Sequence, residues 1–186
     1  MTVRGADYKR RKNDNYPTPL PVTRALFRNV KFGKTIFDPA CGKLELILTA
    51  ARGVGKQAYG RDIINGHGNQ FDFLTHRYSF GKNVSVVTNP PYGDRRGTLA
   101  LKFIERALDL TRKHRTKVAM LLPIDFDSGK TRRHVFEHPA FALKLVLLDR
   151  VKWFNGQSGS TNHAWFIWDW QNSGLSPLIK YTTVDE

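Results

Sequence analysis

Short apolar runs punctuate the chain, each ending in a polar or proline-rich turn. The most sharply bounded is Val84-Ser85-Val86-Val87-Thr88, which stops at Asn89-Pro90-Pro91-Tyr92. A run without polar alternation predicts a strand buried on both faces. The two prolines end it, because they supply no N–H and force an extended exit. Similar runs at Thr35–Asp38, 57–63, Lys117–Pro123, 143–148 and 164–168 predict further strands. Helical spacing is clearest over 98–113, where Ala100, Phe103, Ile104, Ala107 and Leu108 follow i, i+3, i+4, i+7, i+8. Two more helices are predicted over 22–30, with Leu26 and Phe27 on the apolar side, and over 44–52, closed by Gly53 and Gly55. Residues 128–142 predict a helix, or a loop and a helix. Strands alternating with helices predict an α/β domain with a mostly parallel sheet. The pair 143–148 and 164–168, joined by a polar loop, predicts an antiparallel hairpin.

Charge adds the next constraint. The 186 residues carry 30 Lys and Arg against 16 Asp and Glu, a formal net charge of +14. A polyanionic partner explains this best, nucleic acid before an anionic membrane surface; a generally basic soluble protein is the bland alternative. Arg4, Lys9, Arg10, Arg11 and Lys12 concentrate in residues 1–15, which read as a basic flexible arm contacting phosphates or as a solvated tail. Residues 16–186 then form the folded domain. The single cysteine, Cys41, excludes an intramolecular disulfide and a Cys-rich metal site. His134 and His138 have i, i+4 spacing but no acidic or Cys partner in a known metal pattern, so they read as surface residues of a basic helix, and no metal is expected. With no apolar run of membrane-spanning length and no signal-peptide core, the expected location is cytoplasmic.

Several polar positions fall where open α/β sheets place ligands, at the carboxyl ends of strands. Asp38 closes a strand and leads into Pro39-Ala40-Cys41-Gly42, a carboxylate and glycine turn suited to a nucleotide-like ligand. Asp62 follows 24 residues later, near the spacing at which such folds put an acid on ribose hydroxyls; alone it is a turn former. Asn89 to Tyr92 present an amide, rigid carbonyls and an aromatic ring together.

Tyr16-Pro17-Thr18-Pro19, then Asp38-Pro39-Ala40-Cys41-Gly42, then Asn89-Pro90-Pro91-Tyr92, in that order, resemble the motifs of S-adenosylmethionine (SAM)-dependent DNA adenine-N6 methyltransferases, above all the small stand-alone ones of phages and prophages. The resemblance spans residues 16 to 168. It implies a single Rossmann-like class I methyltransferase domain with a mostly parallel seven-stranded sheet and an antiparallel C-terminal hairpin. It also implies that Tyr16, Thr18, Asp38, Ala40, Gly42, Asp62, Ile63, Asp72, Phe73 and Asn89 bind SAM, with Asp62 on the ribose and Ile63, Asp72 and Phe73 at the adenine. Asp72 and Phe73 are otherwise a turn acid and a core ring. Asn89, Pro90, Pro91 and Tyr92 would be catalytic. The adenine N6 lone pair is delocalised into the ring, so acceptors on its hydrogens, the Asn89 amide oxygen and the Pro90 carbonyl, would favour the nucleophilic geometry. Tyr92 would stack on a flipped base. Arg95, Arg96, Phe126, Trp153 and Phe154 complete the expected substrate contacts, with core packing the alternative for Trp153 and Phe154.

One position departs from the family pattern: Leu44 stands where a second glycine is usual. Larger members also carry a separate target-recognition domain, for which no residues are expected here, so selectivity would be short or weak, or depend on loops such as 93–97 and 127–140. RNA guanine-N2 and protein-glutamine methyltransferases have similar tetrapeptides. The alternatives are therefore methylation of RNA or of a protein glutamine, or a degenerate methyltransferase fold serving as a nucleic-acid-binding module. DNA is favoured over RNA; oligomeric state is not indicated.

Overall fold

The strand that ends at Asn89, β3 (Val84–Thr88), is buried at every residue, as a strand covered on both faces must be. The computed structural model describes residues 16–63, 71–94, 96–153 and 161–184. Along these, α1 (Leu20–Asn29), β1 (Thr35–Asp38), α2 (Leu46–Gly53) and β2 (Gln57–Gly60) precede β3. After it come α3 (Thr98–Arg112), β4 (Lys117–Pro123), a single turn α4 (Arg133–Phe136), β5 (Phe141–Leu147), β6 (His163–Asp169) and β7 (Leu178–Thr182).

The seven strands form one sheet in the order β2-β1-β3-β4-β6-β5-β7. β2, β1, β3 and β4 pair in parallel. β6 runs antiparallel to both β4 and β5, and β7 pairs in parallel with β5. The expected α/β architecture, mostly parallel with a C-terminal antiparallel hairpin, is therefore present. Side chains alternate between two cores with the strand period of two. Phe37, Val86, Met120, Leu122, Phe166 and Trp168 point toward α3. Ile36, Val87, Ala119, Leu121, Trp165 and Ile167 point toward α1 and α2. Each of two buried tryptophans finds a partner for its indole N–H, Trp165 Nε1 donating to the Val22 carbonyl (3.0 Å) and Trp168 Nε1 to the Val135 carbonyl (2.7 Å).

Several boundaries differ from the sequence expectation. α2 starts at Leu46 instead of 44, because Gly42 (φ 61°) and Glu45 (φ 47°) hold left-handed backbone that a helix cannot include. β2 stops at Gly60, so Asp62 lies beyond the strand. Of the two readings of 128–142, a loop and a helix is the one found, and the helix is a single turn. Two 3-10 turns, Phe126–Ser128 and Lys130–Arg132, are separated by extended Gly129 and followed by the one-turn α4. His134 and His138 consequently do not share a helical face: His134 Nε2 meets Glu105 Oε1 at 2.7 Å, and His138 packs edge-on to Trp170 at 5.0 Å. β5 begins two residues earlier than the predicted 143–148, with an irregularity between Phe141 and Leu143. The antiparallel strand lies inside the sheet; the edge is β7, whose Leu178, Ile179 and Tyr181 are exposed and which no buried run announced.

Gly60 closes β2 directly behind the Asp38–Gly42 turn, where a Cβ would lie 2.6 Å from Cys41 Cβ and 2.8 Å from Leu48 Cδ1. Gly60→Ala is expected to destabilise the fold by about 1–3 kcal/mol through overpacking. A lower urea midpoint at unchanged m-value checks it.

Candidate active site

The strand order reverses at β1, with β2 on one side and β3 on the other, and a crevice opens at that point beyond the carboxyl ends. A cavity of about 720 Å³ occupies it. Asp38, at the end of β1, is 1% exposed, and its Oδ1 accepts the Ala40 N–H at 3.0 Å. Asp62 reaches back across the turn, its Oδ2 accepting the Gly42 N–H at 3.0 Å. Asp72 and Glu45 also line the wall. Four carboxylates in one cavity suit a ligand that carries positive charge. A pyrophosphate fits badly, because the Gly42 N–H that would face it is already held by Asp62.

Burial pushes the Asp38 carboxyl up to about 7; Asp62 and Glu45 nearby push the same way, against the Thr88 hydroxyl and the Ala40 N–H. Burial, with Asp38 close by, likewise pushes the Cys41 thiol up to about 12, so this side chain is no nucleophile at neutral pH. Leu44 lines the cavity and is not among the residues with positive φ; that strain falls on Glu45. Side-chain bulk at 44 is therefore accommodated by turning the next residue, which also carries a carboxylate into the wall.

A second recess of only about 20 Å³, room for a water and not for a base, lies beside the first, lined by Tyr16, Asn89, Pro90, Tyr92 and Trp153. Tyr16 and Asn89 belong to the walls of both. Asn89 Nδ2 donates to the Tyr16 carbonyl at 3.1 Å. A carbonyl can only accept, so this bond fixes which way the amide faces and leaves Oδ1 as its acceptor where the two spaces meet. Trp153 packs on Tyr16 at 5.8 Å and edge-on to His163 at 5.2 Å. His163 is 4% exposed, and burial pushes its imidazole down to about 4, so it backs Trp153 as a neutral ring.

The structure thus brings Tyr16, Thr18, Asp38, Ala40, Gly42, Asp62, Ile63, Asp72, Phe73, Asn89 and Pro91 to the large cavity, and Pro90, Tyr92 and Trp153 to the recess. Phe73 is also a core ring, stacked near Phe37 and Phe103, and the Asp72 Oδ1 accepts the Leu74 N–H at 2.9 Å as a turn acid does. Phe126 lines neither space. It is 3% exposed within the α3-side core, packed away from both spaces. Arg96 is outside both as well, its Nε 3.7 Å from Asp94 Oδ2. The 93–97 loop is tied down where it is described: Asp94 Oδ1 accepts the N–H groups of Arg96 and Thr98, both at 3.0 Å. Arg95 and Phe154, and the arm 1–15, lie outside the described residues. Glu45 and Phe71 were not anticipated. Glu45 was hidden inside a predicted helix; Phe71, an aromatic next to the Asp72 segment with Arg61 over its ring at 5.0 Å, could have been found.

The fold is that of SAM-dependent methyltransferases. The chain is similar to the methyltransferase subunit of a type I restriction-modification system from Streptococcus thermophilus, with TM-score 0.60 and 18% identity over 90% of this chain and 47% of that one. A putative RNA methyltransferase from Pyrococcus horikoshii gives TM-score 0.59 and 14% identity over 87% and 90% of the two chains. TrmN from Thermus thermophilus gives 0.52 and 21% over 80% and 48%. The chain thus spans about half the length of the first and third of these. No family profile matches the sequence, and no curated protein is similar to it in sequence. Among the described residues, no helix is long and apolar enough to cross a membrane, and no group of three or more His, Cys, Asp and Glu could hold a metal ion.

The Asp38 shift has a consequence for stability. Between its unfolded value near 3.8 and its folded value of about 7, the folded chain holds a proton that the unfolded chain releases. Unfolding free energy should therefore fall as pH rises through that window, by at most about 4 kcal/mol, and level off above it. Asp38→Asn should remove this slope; urea titrations of both proteins at a series of pH values check the sign.

Proposed function

We propose that this protein is a SAM-dependent methyltransferase acting on the exocyclic N6 amino group of adenine in DNA. The observation that carries the reading is the shared wall: an acidic cavity sized for a small molecule adjoins an aromatic recess, and Asn89 stands between them with its amide orientation fixed. The donor set fits SAM. Asp38 and Glu45 suit its cationic amino-acid end, Asp62 its ribose hydroxyls, and Ile63 with Phe71 or Phe73 the faces of its adenine. Bound there, SAM supplies an electrophilic methyl group on a sulfonium.

The chain's own residues then have two tasks. Tyr92 and Trp153 flank the base, and the recess, about 20 Å³ in this structure, has to widen between them and Tyr16 to admit it. Asn89 Oδ1 and the Pro90 carbonyl accept from the amino group, draw its lone pair out of the ring and stabilise the charge that grows on nitrogen. Orientation supplies much of the remaining acceleration, and no covalent enzyme intermediate is required. The net charge of +14, including the basic residues of the 1–15 arm, favours a polyanionic substrate. Preference for DNA over RNA rests on the order of the three motifs, and residues 16–186 are read as the catalytic domain.

Mass spectrometry of nucleosides after incubation with SAM and unmethylated DNA, and separately with RNA, tests the substrate. N6-methyladenine in DNA is the expected product; modification of RNA alone would transfer the same chemistry to another polymer. Asn89→Ala should lower turnover by about 10²–10³-fold while leaving SAM affinity within a few-fold by isothermal titration. Loss of SAM binding along with turnover would make Asn89 a structural residue, and no saturable SAM binding by the unaltered protein would favour a binding module.

A further inference from the structure

Two loops at the carboxyl edge of the sheet converge on one ring. Phe126 follows β4, and its Cε2 lies 2.6 Å from where a Cβ on Gly97 would stand, so only glycine at the start of α3 lets the ring seat. The Arg132 guanidinium lies over the same ring, Cζ 4.2 Å from its centroid. A Cβ on Gly129 would come within 2.4 Å of Arg132 Nε and Nη2. Gly129 has φ −103° and ψ 125°, which any residue adopts. What glycine provides at 129 is room for the guanidinium, not backbone freedom.

Three nearby cations, unlike Arg132, have acidic partners. Arg133 is paired with Glu137 at 2.6 Å, His134 meets Glu105 at 2.7 Å, and Lys144 is paired with Asp127 at 2.6 Å. Among the described residues the Arg132 guanidinium has no acidic partner, and its Nε is buried without an acceptor. Stacking on an aromatic face restricts the guanidinium while leaving its charge and its outer N–H fork available, the arrangement suited to the two non-bridging oxygens of a phosphodiester. The stack meets Gly97 just before α3, and the Leu99 N–H of that helix donates to the Tyr92 carbonyl at 3.3 Å, which links this end of α3 to the recess.

We propose that Arg132, held over Phe126 in a slot made by Gly97 and Gly129, binds one backbone phosphate of the nucleic-acid strand whose base enters the Asn89–Tyr92 recess. This rests on the nucleic-acid reading of the site given above. It assigns positioning of the strand to a residue outside both cavities.

Fluorescence anisotropy with a short labelled DNA duplex, and with RNA of the same sequence, across a KCl series tests it. Arg132→Gln, planar but uncharged, should weaken binding by about 5–10-fold and reduce the magnitude of the log K against log[salt] slope by about one. SAM affinity should not change. Gly129→Ala keeps every charge and should weaken binding in the same direction, with no further loss when added to Arg132→Gln. Loss with only one polymer identifies whose phosphodiester is bound. If the unaltered protein binds nucleic acid and Arg132→Gln leaves both affinity and slope unchanged, Arg132 is a packing residue and the proposal fails alone. If the unaltered protein binds neither polymer, the nucleic-acid reading fails with it.

Discussion

The reversal of strand order at β1 is the constraint on which the site depends. β1 hands the chain to β2 on one side, and β3 then pairs on its other side, so the turns leaving β1 and β3 diverge. Asp38 and Asn89 sit at the mouths of those two turns, and the space between them cannot be closed by either. The buried character of β1 and β3 makes this geometry rigid. Both are covered on each face, Phe37 of β1 by the rings of Phe73, Tyr78 and Phe80, and every apolar side chain in them is committed to one core or the other. Asp38 and Asn89 are held by the sheet itself, while Glu45, Asp62, Asp72 and Tyr16 reach the same space from the turns and loops around it.

Electrostatics then selects what the space can hold. A carboxyl at the end of a fully buried strand is held near neutrality by the loss of water, with further carboxylates adding to the effect. A cationic ligand would reverse that balance by favouring the ionised form. The glycine turn takes part by giving its N–H to Asp62. The same loop topology that serves phosphate elsewhere is here preoccupied by an acid of its own chain.

How much of this was legible in the sequence differs by element. β3 and β4 were readable because uninterrupted burial leaves an uninterrupted apolar run, and α3 because its apolar positions repeat at helical spacing. β7 was not, since a strand exposed along its length has no pattern of burial to print. The start of α2 was misplaced because left-handed Glu45 has no compositional signature. The three motifs located the cavity and the recess, since prolines and glycines mark strand ends by backbone chemistry alone. Phe126 was misassigned for a different reason. An aromatic residue at a strand's carboxyl end can face ligand or core, and the choice was made by Gly97, distant in sequence, which leaves the ring a place to go.

Tyr16 belongs to both spaces, through its ring against Trp153 and its carbonyl on Asn89. Two occupants that touch one movable wall are thermodynamically reciprocal: by whatever factor the first alters the affinity of the second, the second alters the first. The N-terminal segment therefore does more than cover the site. It gives the two spaces a common wall, so that any coupling of affinity between their ligands is the same whichever binds first.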